Sequence, residues 1–169
     1  LQTQQPLFDE IGVQKQIDEA FLRQVWLPCG GHIVIDETEA LISIDVNTGR
    51  NRGSKNVDKM ILETNIEAAH ETARQLRLRN VGGLVVVDFI DMRHRRDQQA
   101  VYRAMKERLR RDRAKTQVLQ ISAVGLMEMT RQRLNESLRD TLLESCPYCA
   151  GSGKVKTTMT MSVEIQREL

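Results

Sequence analysis

Leu84 to Val87 is the longest fully apolar run of the chain, and it ends on Asp88. Four residues fall far short of a membrane span, which needs about 20. Leu-Val-Val-Val has instead the composition of a strand buried on both faces. Before it, Leu62, Ile66, Ala69, Ala73 and Leu76 recur on one helical face, which predicts a long helix over Val57 to Arg79. Asn56 suits its N-cap and Asp58 its positive end, Arg74, Arg77 and Arg79 suit its negative end, and Gly82-Gly83 stops it.

The remaining elements follow from the same periodicities. A short helix begins near Val13, with Ile17, Ala20 and Phe21 at helical spacing, and Leu27-Pro28-Cys29-Gly30-Gly31 breaks the chain after it. His32 to Asp36 and Ala40 to Asn47 read as two strands joined around Glu37-Thr38-Glu39. A second helix runs over about Asp97 to Arg113, burying Ala100, Val101, Ala104, Met105 and Leu109. Thr116 to Ser122 reads as a strand, Leu126 to Arg133 as a strand with a helix as the alternative, and residues 1–10 as a loose lead-in. This order of elements predicts an α/β fold, a mixed β-sheet with packed helices. From Lys154 the tail alternates through Val155, Met159, Met161, Val163 and Ile165 and starts one further element.

Hydrophobic residues make up 40% of the 169 and charged ones 28%, which excludes a disordered chain. Aromatics are only 4%, so stacking is not the main mode of ligand capture. No basic-then-apolar signal segment opens the sequence. Three cysteines make no disulfide framework, and the odd count points to a reducing compartment. The formal charge of +2 hides an asymmetry. Residues 1–45 carry two bases against eight acids, whereas residues 93–115 carry ten bases against three acids. So dense a basic block points to a polyanion.

Asp45 follows the apolar stretch Leu41 to Ile44, much as Asp88 follows its own. Strand alternation puts Asp45 and Asn47 on one face, and strand ends border the ligand crevice of open α/β sheets. If the two strands are neighbours, Asp45, Asn47 and Asp88 converge. Carboxylates about 5 Å apart repel by about 3 kcal/mol at an effective dielectric near 20, and a divalent cation removes that conflict. Carboxylate oxygens with retained waters are what Mg²⁺ prefers. Such an ion generates a hydroxide nucleophile and stabilises charge on a phosphodiester. Asp91, three residues past Asp88, faces the other way in an extended stretch, and Asp36 is an outside alternative.

Cys146-x-x-Cys149, followed by Gly151 and Gly153, is half of a zinc knuckle. A structural zinc needs four ligands, and three closures are open: distant Cys29 with one histidine, two waters, or the same pair from a second chain, making an S₄ site on a two-fold axis. Glycines there let backbone N–H groups face the sulfurs. Cys29 itself reads as structural, and His32, His70 and His94 share no metal spacing. The basic block, Arg93 to Lys115, is expected to cluster beside Asp88, and Arg50, Arg52 and Lys55 follow Asn47 directly. Candidate phosphate contacts are Arg50, Arg52, Lys55, Arg79, Arg95 and Arg96.

Several stretches in order then resemble the catalytic region of the bacterial ribonuclease E/G endoribonucleases, over nearly the whole chain. They are TEALISIDVNTGR (38–50), TNIEAA (64–69), ARQLRLR (73–79), GGLVVVDFIDM (82–92), EMTRQR (128–133) and CPYC (146–149). Thr48-Gly49-Arg50 is more similar to the ribonuclease G side. The resemblance implies a DNase I-like subdomain over 21–145, after the end of an RNase H-like subdomain (1–20). A zinc link (146–153) and the start of a small C-terminal dimerisation domain (154–169) would follow. It implies that Asp45 and Asp88 hold a catalytic Mg²⁺ and that Asn47 supports them by hydrogen bonding. Cys146 and Cys149 would form half of a zinc link between protomers, giving a homodimer, with a homotetramer in the full-length family. The implied activity is cleavage of single-stranded, A/U-rich RNA to 5′-phosphate and 3′-hydroxyl products, in ribosomal RNA processing and messenger decay in the bacterial cytoplasm. In the family an S1-type RNA-binding domain and a pocket for the 5′-monophosphate precede the matching region, and this sequence has no counterpart of either. The alternative expectation is therefore a non-catalytic RNA-binding or zinc-linked oligomerisation fragment of such an enzyme.

Overall fold

The computed structural model describes residues 6–49, 57–122, 124–144, 146–149, 151 and 153–168. They form two compact units, divided between Arg139 and Asp140. The first holds helices α1 (Leu7–Glu10), α2 (Val13–Phe21), α3 (Val57–Leu78) and α4 (Arg95–Leu109). Its strands are β1 (Gln24–Trp26), β2 (His32–Glu37), β3 (Ile42–Asn47), β4 (Gly83–Asp88), β5 (Thr116–Val118) and β6 (Leu126–Arg131). A short helix, α5 (Leu138–Leu142), crosses the division, and α6 (Thr158–Glu168) lies in the second unit.

The six strands make one mixed sheet in the order β1-β2-β3-β4-β6-β5. Only β3 and β4 run parallel, because α3 carries the chain back between them. Both edge strands have three residues, which leaves little unpaired backbone exposed. Ile33, Ile35, Ile42, Ile44, Val46, Val85, Val87, Met127 and Met129 point to one face and are buried with the inner sides of α3 and α4. On the other face Trp26, Ser43, Asp45, Asp88, Glu128 and Thr130 are exposed, and His32, Val34 and Val86 half-buried. The sheet is therefore apolar on one side and polar on the other, the pattern of a sheet with one solvated face.

Several boundaries differ from the sequence expectation, each for a local reason. The hairpin between β2 and β3 forms without an Asn-Gly turn because Thr38 closes it: its hydroxyl accepts from Leu41 N–H (3.1 Å) while its N–H donates to Leu41 carbonyl oxygen (3.0 Å). β1 was not expected. Its three residues sit just after α2, too few to show alternation, yet they pair with β2 through Val25 and Ile33. The four-residue α1 likewise falls inside the expected lead-in. α4 ends at Leu109, not Arg113, because the Asp112 carboxylate accepts from Ala114 N–H (3.0 Å) and turns the chain. β5 stops at Val118, although single bonds from Leu119 N–H and Ser122 N–H to β6 continue the approach. The alternating tail is helix α6, started by Thr157, whose hydroxyl accepts from Thr160 N–H (3.2 Å). α3 buries Ala68, Ala69, Ala73 and Leu76 together with Thr64, Asn65, Thr72 and Gln75, leaving Leu62 and Ile66 half-buried. Its expected cap, Asn56, lies outside the described residues.

Two arginines are internal ties. Arg131 meets Asp112 in a two-pronged pair (Nε–Oδ2 2.8 Å, Nη2–Oδ1 3.1 Å) and also donates to Val81 carbonyl oxygen at 2.6 Å. Both side chains are 3% exposed. Burial pushes the Asp112 carboxyl up, but the Arg131 hydrogen bonds, the Ala114 N–H and the charges of Arg131 and Arg77 outweigh it and hold the group below its ordinary value of 3.8. A carboxyl lowered in the folded state contributes stability above pH 3.8, and the contribution is lost as pH falls further. Asp112→Ala is expected to cost about 3–5 kcal/mol at neutral pH, the loss typical of a broken buried pair. It is also expected to flatten the loss of stability below pH 4. Urea unfolding of both proteins across pH 3–7 checks this.

Candidate functional site

β3 and β4 place Asp45 and Asp88 as register partners on adjacent parallel strands. Neighbouring strands lie about 4.8 Å apart and partners in register share a face, so the two carboxylates stand side by side on the open face. Asp88 is the last residue of β4. The Asn47 amide donates to Asp45 Oδ2 at 2.7 Å. The convergence expected of Asp45, Asn47 and Asp88 is thus present in the fold.

The backbone around this triplet is fixed from three sides. Leu27-Pro28-Cys29-Gly30-Gly31 folds against the end of β3, and the fit excludes side chains. A β-carbon at Gly31 would lie 2.8 Å from Asn47 carbonyl oxygen, and one at Gly49 would meet Gly30 carbonyl oxygen. Glu67, on α3, accepts from Cys29 N–H at 2.8 Å and ties that turn down. Asn65, fully buried on α3, clamps the chain just past Asp88. Its amide donates to Ile90 carbonyl oxygen (2.8 Å) and its Oδ1 accepts from Ile90 N–H (3.1 Å). Helical periodicity does not single out Asn65. The usable signal was a polar, poor helix-forming residue on what becomes the buried face.

The other carboxylates stand apart. Asp36 is held by Arg23 (2.6 and 2.8 Å), whose hydrogen bond is the main cause of its lowered pKa. It sits toward the far end of β2, opposite Ser43. Asp91 is exposed beyond β4, near Gly125. The Cys29 thiol is raised by burial, with Glu67 adding to the rise, and its Sγ lies 3.7 Å from Thr64 Oγ1. This is the setting of a structural thiol, not a nucleophile. His70 on α3 is lowered mainly by burial, aided by Arg108, and His94 precedes α4 with its Nε2 4.0 Å from Asp58.

Among the basic candidates, Arg50, Arg52 and Lys55 lie outside the described residues. Arg79 does not reach the surface. It is fully buried, donating to Leu22 carbonyl oxygen (2.6 Å) and Gln75 Oε1 (2.9 Å) with Glu37 3.7 Å away. Burial lowers its pKa, and its work is to join α2, α3 and β2 rather than to bind phosphate. Arg95 and Arg96 are exposed at the start of α4, where Arg95 lines a small cavity of about 40 Å³ with Gln98, Tyr102 and Gln120. The basic block as a whole does not gather beside Asp88. All ten of its basic side chains are exposed, but α4 spans roughly 22 Å at 1.5 Å per residue. It carries Arg108 to Lys115 toward the opposite end of the sheet, where Arg131 pairs with both Gly83 and Thr116. Only Arg93, Arg95 and Arg96 stay at the Asp88 end in sequence.

In the second unit Cys146 is exposed and Cys149 half-buried, and neither is in a disulfide. Gly153 N–H donates to Cys149 Sγ at 3.3 Å, and Gly151 and Gly153 have φ of +83° and +67°. An N–H aimed at sulfur stabilises a thiolate, so this loop fits a Cys-x-x-Cys zinc half-site. Among the described residues no group of three or more His, Cys, Asp or Glu is gathered for a metal. A cation at Asp45 and Asp88 would thus take two carboxylates from the protein and fill the rest with water or phosphate oxygen. That donor set fits Mg²⁺, which keeps several waters. Among the described residues no helix is long and apolar enough to cross a membrane.

Comparison with known proteins adds the following. Residues 1–134 match the sequence pattern of the Ribonuclease E/G family. The chain is 47% identical over 165 residues to Ribonuclease G of Escherichia coli K12, covering 98% of this chain and 34% of that protein. It is 49% identical over 164 residues to Ribonuclease E of Haemophilus influenzae (97% of this chain, 18% of that one). It is 48% identical over 162 residues to Ribonuclease E of Escherichia coli K12 (96% and 15%). The chain spans about a third of the length of its ribonuclease G relatives. The nearly equal identities do not separate a G subtype from an E subtype.

The Asn65 clamp has a measurable consequence. Asn65→Leu keeps the volume but leaves the N–H and carbonyl oxygen of Ile90 unpaired, at about 1–3 kcal/mol each. A total loss of about 2 kcal/mol or more is expected in urea unfolding. An Asn65→Leu protein as stable as its parent would show that the clamp does not hold the Asp88 end.

Proposed function

Because this chain belongs to the ribonuclease E/G family, we propose that it supplies the cleavage centre of a Mg²⁺-dependent endoribonuclease. The observation that carries this reading is the register of Asp45 with Asp88 on parallel neighbours, with Asn47 donating to Asp45. Asp45 and Asp88 would hold the cation. A Mg²⁺ bound there supplies Lewis acidity toward a phosphodiester and a water of lowered pKa.

The protein's own groups do the rest. The Asn47 amide occupies one lone pair of Asp45 Oδ2 and fixes that carboxylate. Asn65 and the Gly30-Gly31 turn hold the two strand ends rigid, so that the carboxylates are preorganised. Exposure of both aspartates leaves room for a polymer substrate to approach, and Arg93, Arg95 and Arg96 supply charge for its phosphates without reading sequence. The substrate in this reading is single-stranded, A/U-rich RNA, cut to 5′-phosphate and 3′-hydroxyl ends in ribosomal RNA processing and messenger decay within a bacterial cytoplasm. Residues 21–145 would be the DNase I-like catalytic subdomain.

The test is RNA cleavage in Mg²⁺ by the longest form of the protein that cuts RNA, with Asp45→Asn and Asp88→Asn made singly. Each is expected to lower kcat at least a hundredfold, the scale of losing one electrostatic contact to the reacting centre, without unfolding the protein, since both side chains are exposed. Full activity in either variant removes that residue from the cleavage centre. RNA binding by the 169-residue chain without metal-dependent cutting would leave it a non-catalytic module.

The cysteine loop carries a second part of the proposal. Cys146 and Cys149 form half of an S₄ zinc site completed by the same pair of a second copy, an isologous contact. The N–H of Gly153 on Cys149 Sγ supports it. Native mass and metal analysis are expected to give one zinc per two chains. Cys146→Ser is expected to lose both zinc and dimer. One zinc per monomer would select a different closure of the site.

A further inference from the structure

The open face of the sheet carries an aromatic surface that the cleavage centre does not account for. Trp26 pairs with His32, and His32 pairs with Asn47, so the three stand in one row across β1, β2 and β3. They share the face of Asp45, two residues before Asn47. With strands about 4.8 Å apart and about 3.4 Å per residue along them, Trp26 lies roughly 12 Å from Asp45. The indole is 67% exposed. Its ring centroid is 5.2 Å from that of His32, with the planes tilted by 57°. This tilted contact steadies the indole and leaves most of its surface to solvent. The Nδ1 of His32 is buried without a hydrogen-bond partner among the described residues. The imidazole packs against the Trp26 ring.

Folding does not explain an indole in this position. β1 is anchored to the core by Val25, which is 7% exposed, whereas Trp26 contributes its large apolar surface to water. A steadied, exposed ring in the row next to two candidate metal-binding carboxylates is what stacking of a planar ligand needs. On a single-stranded polynucleotide the ligand is a base, since every base has a π-face. We propose that Trp26, steadied by His32, is a stacking platform for a nucleobase of the RNA. The base belongs to a nucleotide neighbouring the one whose phosphate lies at Asp45 and Asp88. Trp26 is then a positioning residue: it sets which phosphate rests over the carboxylates. The inference rests on the reading of Asp45 and Asp88 as the cleavage centre.

Trp26 is the single tryptophan of the chain, so its fluorescence reports the platform directly. Metal-free titration with a short single-stranded oligoribonucleotide is expected to quench the emission saturably. The same backbone with abasic nucleotides is expected to quench little. No binding, binding by anisotropy without quenching, or equal quenching by the abasic strand would overturn the platform and leave this face to a protein partner. In a cleavage assay, Trp26→Ala is expected to raise KM about tenfold on intact RNA, with kcat within about twofold. The penalty should vanish on a substrate abasic at the stacked position, found by scanning the positions that flank the cut, and Trp26→Phe should restore most of the affinity. An unchanged KM in Trp26→Ala, with cleavage abolished by Asp45→Asn, defeats the platform alone. Cleavage that survives Asp45→Asn defeats the underlying reading.

Discussion

The parallel pairing of β3 with β4 is the constraint on which the rest depends. Antiparallel neighbours are joined by tight turns, but two parallel strands need a crossover that climbs over the sheet and returns. Here α3 is that crossover, and it does more than connect. Its buried side supplies Ala68, Ala69, Ala73 and Leu76 to the core beneath β3 and β4. From the same helix Asn65 holds the backbone after Asp88, while Glu67 holds the turn against the end of β3. One helix thus sets both the spacing and the ends of the strands that carry the carboxylates. A slip of one residue in either strand would send its aspartate to the core face.

The same economy explains the polar groups buried in the first unit. Asn65, Arg79 and Arg131 each satisfy backbone groups where an element ends: Ile90 after β4, Leu22 after α2, Val81 before β4. Burying an arginine is costly unless its donors are used. One donor of each arginine goes to a chain-end carbonyl that apolar side chains cannot pair, and others to Gln75 and Asp112 side chains. Of the three, Asn65 acts at the Asp88 end, while Arg79 and Arg131 act at the opposite end of the sheet. Side chains such as Arg95 and Arg96, by contrast, are exposed on the start of α4.

The two faces of the sheet divide the labour. The helix-covered face provides stability through aliphatic and methionine side chains, and the open face displays chemistry: Asp45, Asn47 and Asp88 in the middle, Trp26 and His32 toward the β1 edge. An open face of this kind suits a polymeric ligand, whereas a small molecule is held in a concave pocket.

Much of this was legible beforehand because it is local. Alternation and helical spacing marked β2, β3, β4, α3 and α4, since each buries one face and that burial leaves a period in the sequence. The aspartates at strand ends and the Cys-x-x-Cys-x-Gly-x-Gly loop were visible for the same reason: their geometry is set by neighbours in the chain. What the sequence alone could not decide was everything that depends on distant partners. It could not say that β3 and β4 are adjacent and in register, which turns two isolated aspartates into a pair. It could not tell the exposed Arg95 from the buried Arg79, because both are arginines in helical, basic surroundings and only packing separates them. Nor could three residues of β1 reveal that Trp26 stands two strands from Asn47, for a hydrogen-bonded row runs across the chain's order rather than along it.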